Sequence, residues 1–232
     1  CNMFTAEELV TGKIILIDKP LHWTSHDVVA KVRIPIKIFC RDRKMKIGHA
    51  GTLDPLATGL LILLTGKATK QTESLQGLEK EYTGTITLGA TTPSYDAETA
   101  VDATFPIQHI TPELIHETAK SFLGVQEQIP PIYSSVQVDG IRAYNYAREG
   151  ETVKLKARTV ELFRFEITAI RMPEIDFVVH CSKGTYIRSL AHDFGKAIGS
   201  GGYLTALRRT KVGDFDIQDA LSLETMLAAV KI

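Results

Sequence analysis

Gly48-His49-Ala50-Gly51-Thr52-Leu53-Asp54-Pro55-Leu56-Ala57-Thr58-Gly59 holds one carboxylate, Asp54, in a run with no other acidic or basic side chain except His49. Three glycines and a proline surround it, and the apolar residues 60–64 follow directly. A carboxylate set between turn residues and a core strand is costly unless something pairs with it. Asp54 is therefore the first candidate for chemistry, as a nucleophile or general base on a tight loop. Taken alone, the commoner reading of an aspartate before proline is a turn residue.

Outward from this loop, residues 60–64 lie between Gly59 and Gly66 and read as a buried strand. Residues 13–17 alternate loosely and predict another. Thr24 or Ser25 can cap a helix that runs to about Arg33, where Pro35 is expected to end it. Residues 67–75 read as a helix. Tyr82, Gly84, Ile86 and Leu88 share one face of a strand whose other face is Thr83, Thr85 and Thr87. Thr111-Pro112-Glu113 opens a helix with proline at its first position; Leu114, Ile115, Thr118, Ala119 and Phe122 form its stripe, and Gly124 stops it.

Residues 129–138 read as an irregular strand and turn, 143–148 as a short helix, and 159–170 and 175–181 as strands. The most marked helix spans 184–198, with Ile187, Leu190, Ala191, Phe194 and Ile198 as its apolar stripe. A strand over 203–212 and a helix over 222–230 close the chain. Strands and helices mix without repeats or regular βαβ alternation, which predicts one α+β domain with a largely antiparallel or mixed sheet.

The chain has 232 residues, 44% of them apolar and 23% charged, as expected of a soluble globular protein. Its longest apolar runs fall far short of a membrane span, and residues 1–13 do not resemble a signal peptide. Residue 1 is not methionine, so Cys1-Asn2 reads as the remnant of a tag. Cys1, Cys40 and Cys181 are scattered and odd in number, which points to a reducing, cytoplasmic setting rather than a disulfide framework.

The 27 basic and 27 acidic residues cancel, but they are segregated. Seven cations (Lys31, Arg33, Lys37, Arg41, Arg43, Lys44 and Lys46) fall within sixteen residues, with Asp42 as the one acid among them. Arg208, Arg209 and Lys211 form a second cluster, while residues 73–151 carry 12 acids and 4 bases. A neutral chain can thus present a basic face to a polyanion, although a solvated surface is the commoner meaning of any one such run.

Three further side chains stand out. Arg188 follows Ile187 and so lies beside the apolar stripe, where it can pair with a buried carboxylate or snorkel at the core edge. Tyr82 and Tyr186 stand near Gly84 and Gly184 and can either stack on a nucleobase or pack in the core. There is no H-x-x-H or C-x-x-C spacing for a metal, and the glycines around His49 match neither phosphate-binding fingerprint.

Residues 48–59 closely resemble the catalytic motif of the TruB family of tRNA pseudouridine synthases. Asp18-Lys19-Pro20 with Thr24-Ser25 is similar to that family's N-terminal motif, and residues 80–89 to its tyrosine motif. Residues 129–147 resemble its RNA-contacting insertion, 181–190 its arginine motif and 204–209 its C-terminal leucine-arginine segment. The matches keep the family's order across residues 13–213, which is far more specific than any one of them.

The resemblance implies roles residue by residue. Asp54 matches the catalytic aspartate, Tyr82 the tyrosine that stacks on the target base, and Arg188 the arginine paired with the aspartate. His49, Tyr186 and Leu207 match residues lining the pocket of the flipped nucleotide. It implies a mixed, mainly antiparallel central sheet flanked by helices, no cofactor, and uridine 55 in the T loop of tRNA as substrate. Arg41, Arg43, Lys44, Arg208 and Arg209 are expected to meet the RNA backbone, and the expected assembly is a monomer without metal or membrane.

The expected organisation is an extension over 1–12, a catalytic domain over 13–213 with an RNA-contacting insertion at 125–150, and a helix over 214–232 where many relatives carry a PUA domain. His22 stands where the family usually has glycine, which leaves the backbone of that loop open. Two alternatives are a non-catalytic RNA-binding protein on the same fold and a guide-RNA-dependent enzyme acting on ribosomal RNA.

Overall fold

The computed structural model describes residues 3–134, 137–138, 141–143, 145 and 154–231. In chain order the first elements are helix α1 (Ala6–Thr11), strand β1 (Ile14–Lys19), helix α2 (Ser25–Phe39), strands β2 (Ile47–Ala50) and β3 (Ala57–Thr65), helix α3 (Thr72–Gln76) and strand β4 (Lys80–Leu88). Short strands β5 (Ala90–Thr91) and β6 (Ala103–Thr104), helix α4 (Pro112–Ser121), strand β7 (Gly124–Gln128) and the strands β8 (Gln137–Val138) and β9 (Ile141–Arg142) follow. The last are β10 (Arg158–Arg171), β11 (Glu174–Cys181), helix α5 (Ile187–Ala197), β12 (Gly202–Val212), β13 (Phe215–Asp216), β14 (Leu221–Ser222) and helix α6 (Leu223–Ala229). Two compact units result, Cys1–Tyr82 with Arg208–Ile232, and Thr83–Leu207, so the division falls within β4 and β12.

In the first unit the strand order is β14-β1-β3-β12, with β2 also on β3 and β13 on β12. β1 runs antiparallel to β3, from Ile14 opposite Leu64 to Lys19 opposite Gly59, while β14 joins β1 in parallel. The continuous apolar run of β3 is explained by burial on both faces. Leu61 and Leu63 pack with Ile15, Ile17, Val28, Val32, Ile36 and Met226, whereas Leu60, Ile62 and Leu64 pack with Leu75 and Val212. Each such side chain contributes about 1.5–3 kcal/mol on burial.

In the second unit the order is β12-β4-β11-β10-β7, with β10 antiparallel to both β11 and β7. Alternation along β11 turns Ile175, Phe177, Val179 and Cys181 inward. Phe165 of β10 meets Phe177, Phe122 after α4 and Phe194 of α5 at centroid distances of 5.8, 6.4 and 6.0 Å. These contacts seat the two helices on the sheet.

The mixed, mainly antiparallel sheet agrees with the sequence reading, and three local expectations are corrected. Helix α2 does not end before Pro35 but runs on to Phe39. Proline removes one backbone hydrogen bond, yet Val28, Val32 and Ile36 continue a single buried stripe through it. Residues 66–71 form a 3₁₀ turn, leaving only Thr72–Gln76 as α-helix. Helix α5 begins at Ile187, because Tyr186 is extended and Thr185 Oγ1 closes a turn onto the Ser182 carbonyl at 2.8 Å. Of the short helix expected over 143–148, all but residues 143 and 145 lie outside the described residues. Among the described residues no helix is long and apolar enough to cross a membrane.

Candidate active site

The loop bearing Asp54 is held by its backbone on both sides. Ser25, the first residue of α2 and fully buried, accepts the Leu53 N–H on its Oγ at 2.9 Å. The Pro55 carbonyl accepts the His22 N–H at 2.7 Å, and the Ala57 N–H donates to the Asp54 carbonyl at 2.9 Å. Farther out, Arg209 donates Nη2 to the Gly51 carbonyl at 2.9 Å and Nε to the Leu60 carbonyl at 2.8 Å. One guanidinium thus closes the loop at its base and leaves Asp54 half-buried at its turn.

Arg209 is 1% exposed, so its expected contact with RNA phosphates is corrected: the charge is spent inside the fold, on two loop carbonyls. Arg208 is half-exposed, but it forms a two-pronged pair with Asp18 at 2.9 and 3.0 Å. Its fork geometry is engaged by a carboxylate of the same unit. Arg41, Arg43 and Lys44, by contrast, are exposed just beyond the end of α2.

Lys19 is a participant to which the sequence reading attached no role. It is fully buried, and its ammonium donates to the Pro20 and Trp23 carbonyls. Burial pushes its pKa down to about 8; the carboxylates of Asp54 and Asp27 pull it back up, and Arg209 adds to the fall. The signal was present in β1, where strict alternation sends Ile15, Ile17 and Lys19 to the same inner side. His49, on β2 opposite Leu63, has a buried Nδ1 without a hydrogen-bond partner among the described residues. Burial, then Arg209, then His26 lower its pKa, which favours the neutral imidazole. Tyr82 completes the candidates of the first unit and is 8% exposed on β4.

The second unit holds the other three. Arg188, in the first turn of α5, is 4% exposed and donates Nη1 to the carbonyls of Ser94 at 3.2 Å and Tyr133 at 2.6 Å. The Tyr186 backbone is clasped by the Gln128 amide, which accepts its N–H at 2.8 Å and donates to its carbonyl at 3.1 Å. The Arg158 guanidinium lies over the Tyr186 ring at 5.2 Å. Leu207 is half-buried on β12.

His22 adopts φ 69°, the left-handed conformation that glycine would take most easily. The histidine thus reproduces the turn that presents its N–H to Pro55. Histidine tolerates this region better than β-branched residues do. His22→Val is expected to cost about 1–2 kcal/mol, whereas His22→Gly leaves stability level or slightly raised. Thermal melts of the two variants check the order, Gly at or above the parent and Val below it.

Two family models together match residues 37–232. "TruB family pseudouridylate synthase (N terminal domain)" covers residues 37–187, and "tRNA pseudouridylate synthase B C-terminal domain" covers 188–232. A Flavobacterium johnsoniae protein named tRNA pseudouridine synthase B is 57% identical over 220 residues, 94% of this chain and 96% of that protein. A protein of the same name from Phocaeicola vulgatus is 54% identical over 92% of this chain and 91% of its own length. Among solved structures, a Cbf5-Nop10-Gar1 complex matches at TM-score 0.71 and 29% identity over 97% of this chain. An H/ACA RNP bound to a substrate RNA containing 2′-deoxyuridine matches at TM-score 0.68 and 27% identity over 95%. The chain spans 58% and 53% of the length of those two structural neighbours.

Proposed function

The chain belongs to the TruB family of pseudouridylate synthases, and from that premise we propose that it isomerises uridine 55 in the T loop of tRNA to pseudouridine. The observation that carries the tRNA reading is the near full-length identity to proteins named tRNA pseudouridine synthase B. The backbone-tied loop around Asp54 supports the assignment of chemistry to that residue.

In this reaction the N1–C1′ bond breaks, a C5–C1′ bond forms, C5 loses a proton and N1 gains one, so atoms and electrons balance. The base must first leave its stack, at a cost of a few kcal/mol. Tyr82 offsets part of that by stacking, a contact worth about 1–3 kcal/mol. Asp54 is assigned the role of catalytic carboxylate and Arg188 that of buried cation, and His49, Tyr186 and Leu207 are each assigned contacts with the flipped nucleotide. We place the activity in the reducing cytoplasm, which suits the free thiol of Cys40.

Incubation with unmodified tRNA, followed by carbodiimide mapping, tests the assignment. The conversion is expected to leave the RNA mass unchanged and to make one T-loop uridine reactive to the carbodiimide. A failure to convert it would leave the non-catalytic RNA-binding alternative. The guide-RNA alternative draws on the H/ACA structural neighbours, and conversion of tRNA without any guide RNA would exclude the need for one.

The exposed cations Arg41, Arg43 and Lys44 are proposed to meet tRNA phosphates. Neutralising all three is expected to weaken binding and to reduce the magnitude of the slope of log K against log salt by about 2–3, since each phosphate contact contributes about 0.7–0.9. Titrations at several salt concentrations check this, and an unchanged slope would reject the assignment.

A further inference from the structure

Helix α5 directs two side chains at the turn formed by residues 92–99, and only Arg188 has a place in the proposed chemistry. Arg188 donates to the Ser94 carbonyl at 3.2 Å. His192 follows at i+4 and therefore faces the same way along the helix. Its imidazole lies on the ring of Tyr95, the residue after Ser94, with centroids 3.9 Å apart and planes 12° from parallel. The buried Nδ1 of His192 has no hydrogen-bond partner among the described residues, so on that side the ring is held by its face.

Tyr95 also sits at φ 66°, a conformation costly for any residue with a side chain. The turn around it is tightly wired. The Tyr95 N–H donates to the Thr92 carbonyl at 3.2 Å, and its carbonyl accepts the Leu204 N–H at 2.9 Å. The Ser94 N–H donates to Thr99 Oγ1 at 3.1 Å, and Ser94 Oγ donates to Asp96 Oδ1 at 2.6 Å. Such wiring fixes the shape of the turn, while the ring stack and the guanidinium contact join it to α5.

We propose that the stacked pair Tyr95–His192 is a positioning device for Arg188, holding the Ser94 carbonyl in register with the guanidinium one helical turn away. Neither ring is a catalytic residue: each acts through the arginine, and the inference rests on the role proposed for Arg188. Loss of the stack frees the turn to drift against α5 and loosens the aim of a guanidinium that also donates to the Tyr133 carbonyl. The consequence is expected on the chemical step, because the proposed phosphate contacts are those of Arg41, Arg43 and Lys44.

The test uses single-turnover rates and KM for T-arm RNA, with melting curves for every variant. His192→Ala and Tyr95→Leu are each expected to lower the rate about tenfold with KM within about twofold of the parent, while Tyr95→Phe and His192→Phe, which keep a flat ring, restore most of it. The double variant is expected to be no slower than the worse single one, as for residues that act as a unit. Parent-like rates in both ring-deleting variants, a change in KM alone, or equal damage from Tyr95→Phe would overturn the proposal. Arg188→Ala separates the two readings. If it is inactive while the ring-deleting variants run at the parent's rate, only the positioning role falls; if it runs at the parent's rate, the role of Arg188 falls as well.

Discussion

Asp54→Asn is expected to fold, to bind T-arm RNA like the parent and to form pseudouridine at least about 10³-fold more slowly, the scale of losing an essential nucleophile or base. The substitution keeps the side chain's shape and removes its charge. The loop contacts made by the Leu53 N–H and by the carbonyls of Gly51, Asp54, Pro55 and Leu60 are backbone contacts that Asn leaves in place. Single-turnover conversion measured beside a melting curve and an RNA titration checks the three parts together. Turnover near the parent's rate would remove Asp54 from the chemistry.

Gly59→Ala should produce a large loss of stability from one methyl group. A Cβ at residue 59 would lie 2.2 Å from the Arg209 carbonyl oxygen and 2.8 Å from the Arg209 nitrogen, and φ is 106°. The obstacle is backbone, so no rotamer change relieves it, and the strand carrying Arg209 must move. A cost of about 3–5 kcal/mol is expected from the clash and the strained dihedral together. For a chain of this size that corresponds to a fall in Tm of about 6–20 °C. Gly48→Ala in the same stretch is the control, since nothing lies within 4 Å of its added Cβ, and its Tm is expected to stay near the parent's.

Much of the secondary structure was readable because its signals are local. Thr24, Thr111 and Ser222 cap their helices through hydrogen bonds to residues three positions on. Alternation in β4 places Tyr82, Ile86 and Leu88 together on the buried face. Helix α2 escaped the local rule, since the penalty of Pro35 is set against burial of Ile36, a term that depends on what packs over it.

The candidate site divides in the same way. Residue types and their order marked out Asp54, Tyr82 and Arg188, because a motif is a local pattern repeated in a definite sequence along the chain. Whether a neighbouring cation faces solvent or the interior was not readable. Arg208 and Arg209 are adjacent and chemically identical, yet one pairs with Asp18 at the surface and the other is sealed between Gly51 and Leu60. The strand's alternation requires that they point to opposite faces, but which face is interior depends on elements about 150–190 residues away.

The amino-acid sequence by itself determined the family, the order of strands and helices and the carboxylate at the centre of the loop, since each is written in short-range spacing and capping. Tertiary structure alone decided that Arg209 closes that loop, that Lys19 is buried beside it, that His22 takes a glycine's conformation and that His192 lies on Tyr95. Those outcomes rest on burial and on hydrogen-bond partners distant in sequence, which the folded chain supplies only when its segments meet.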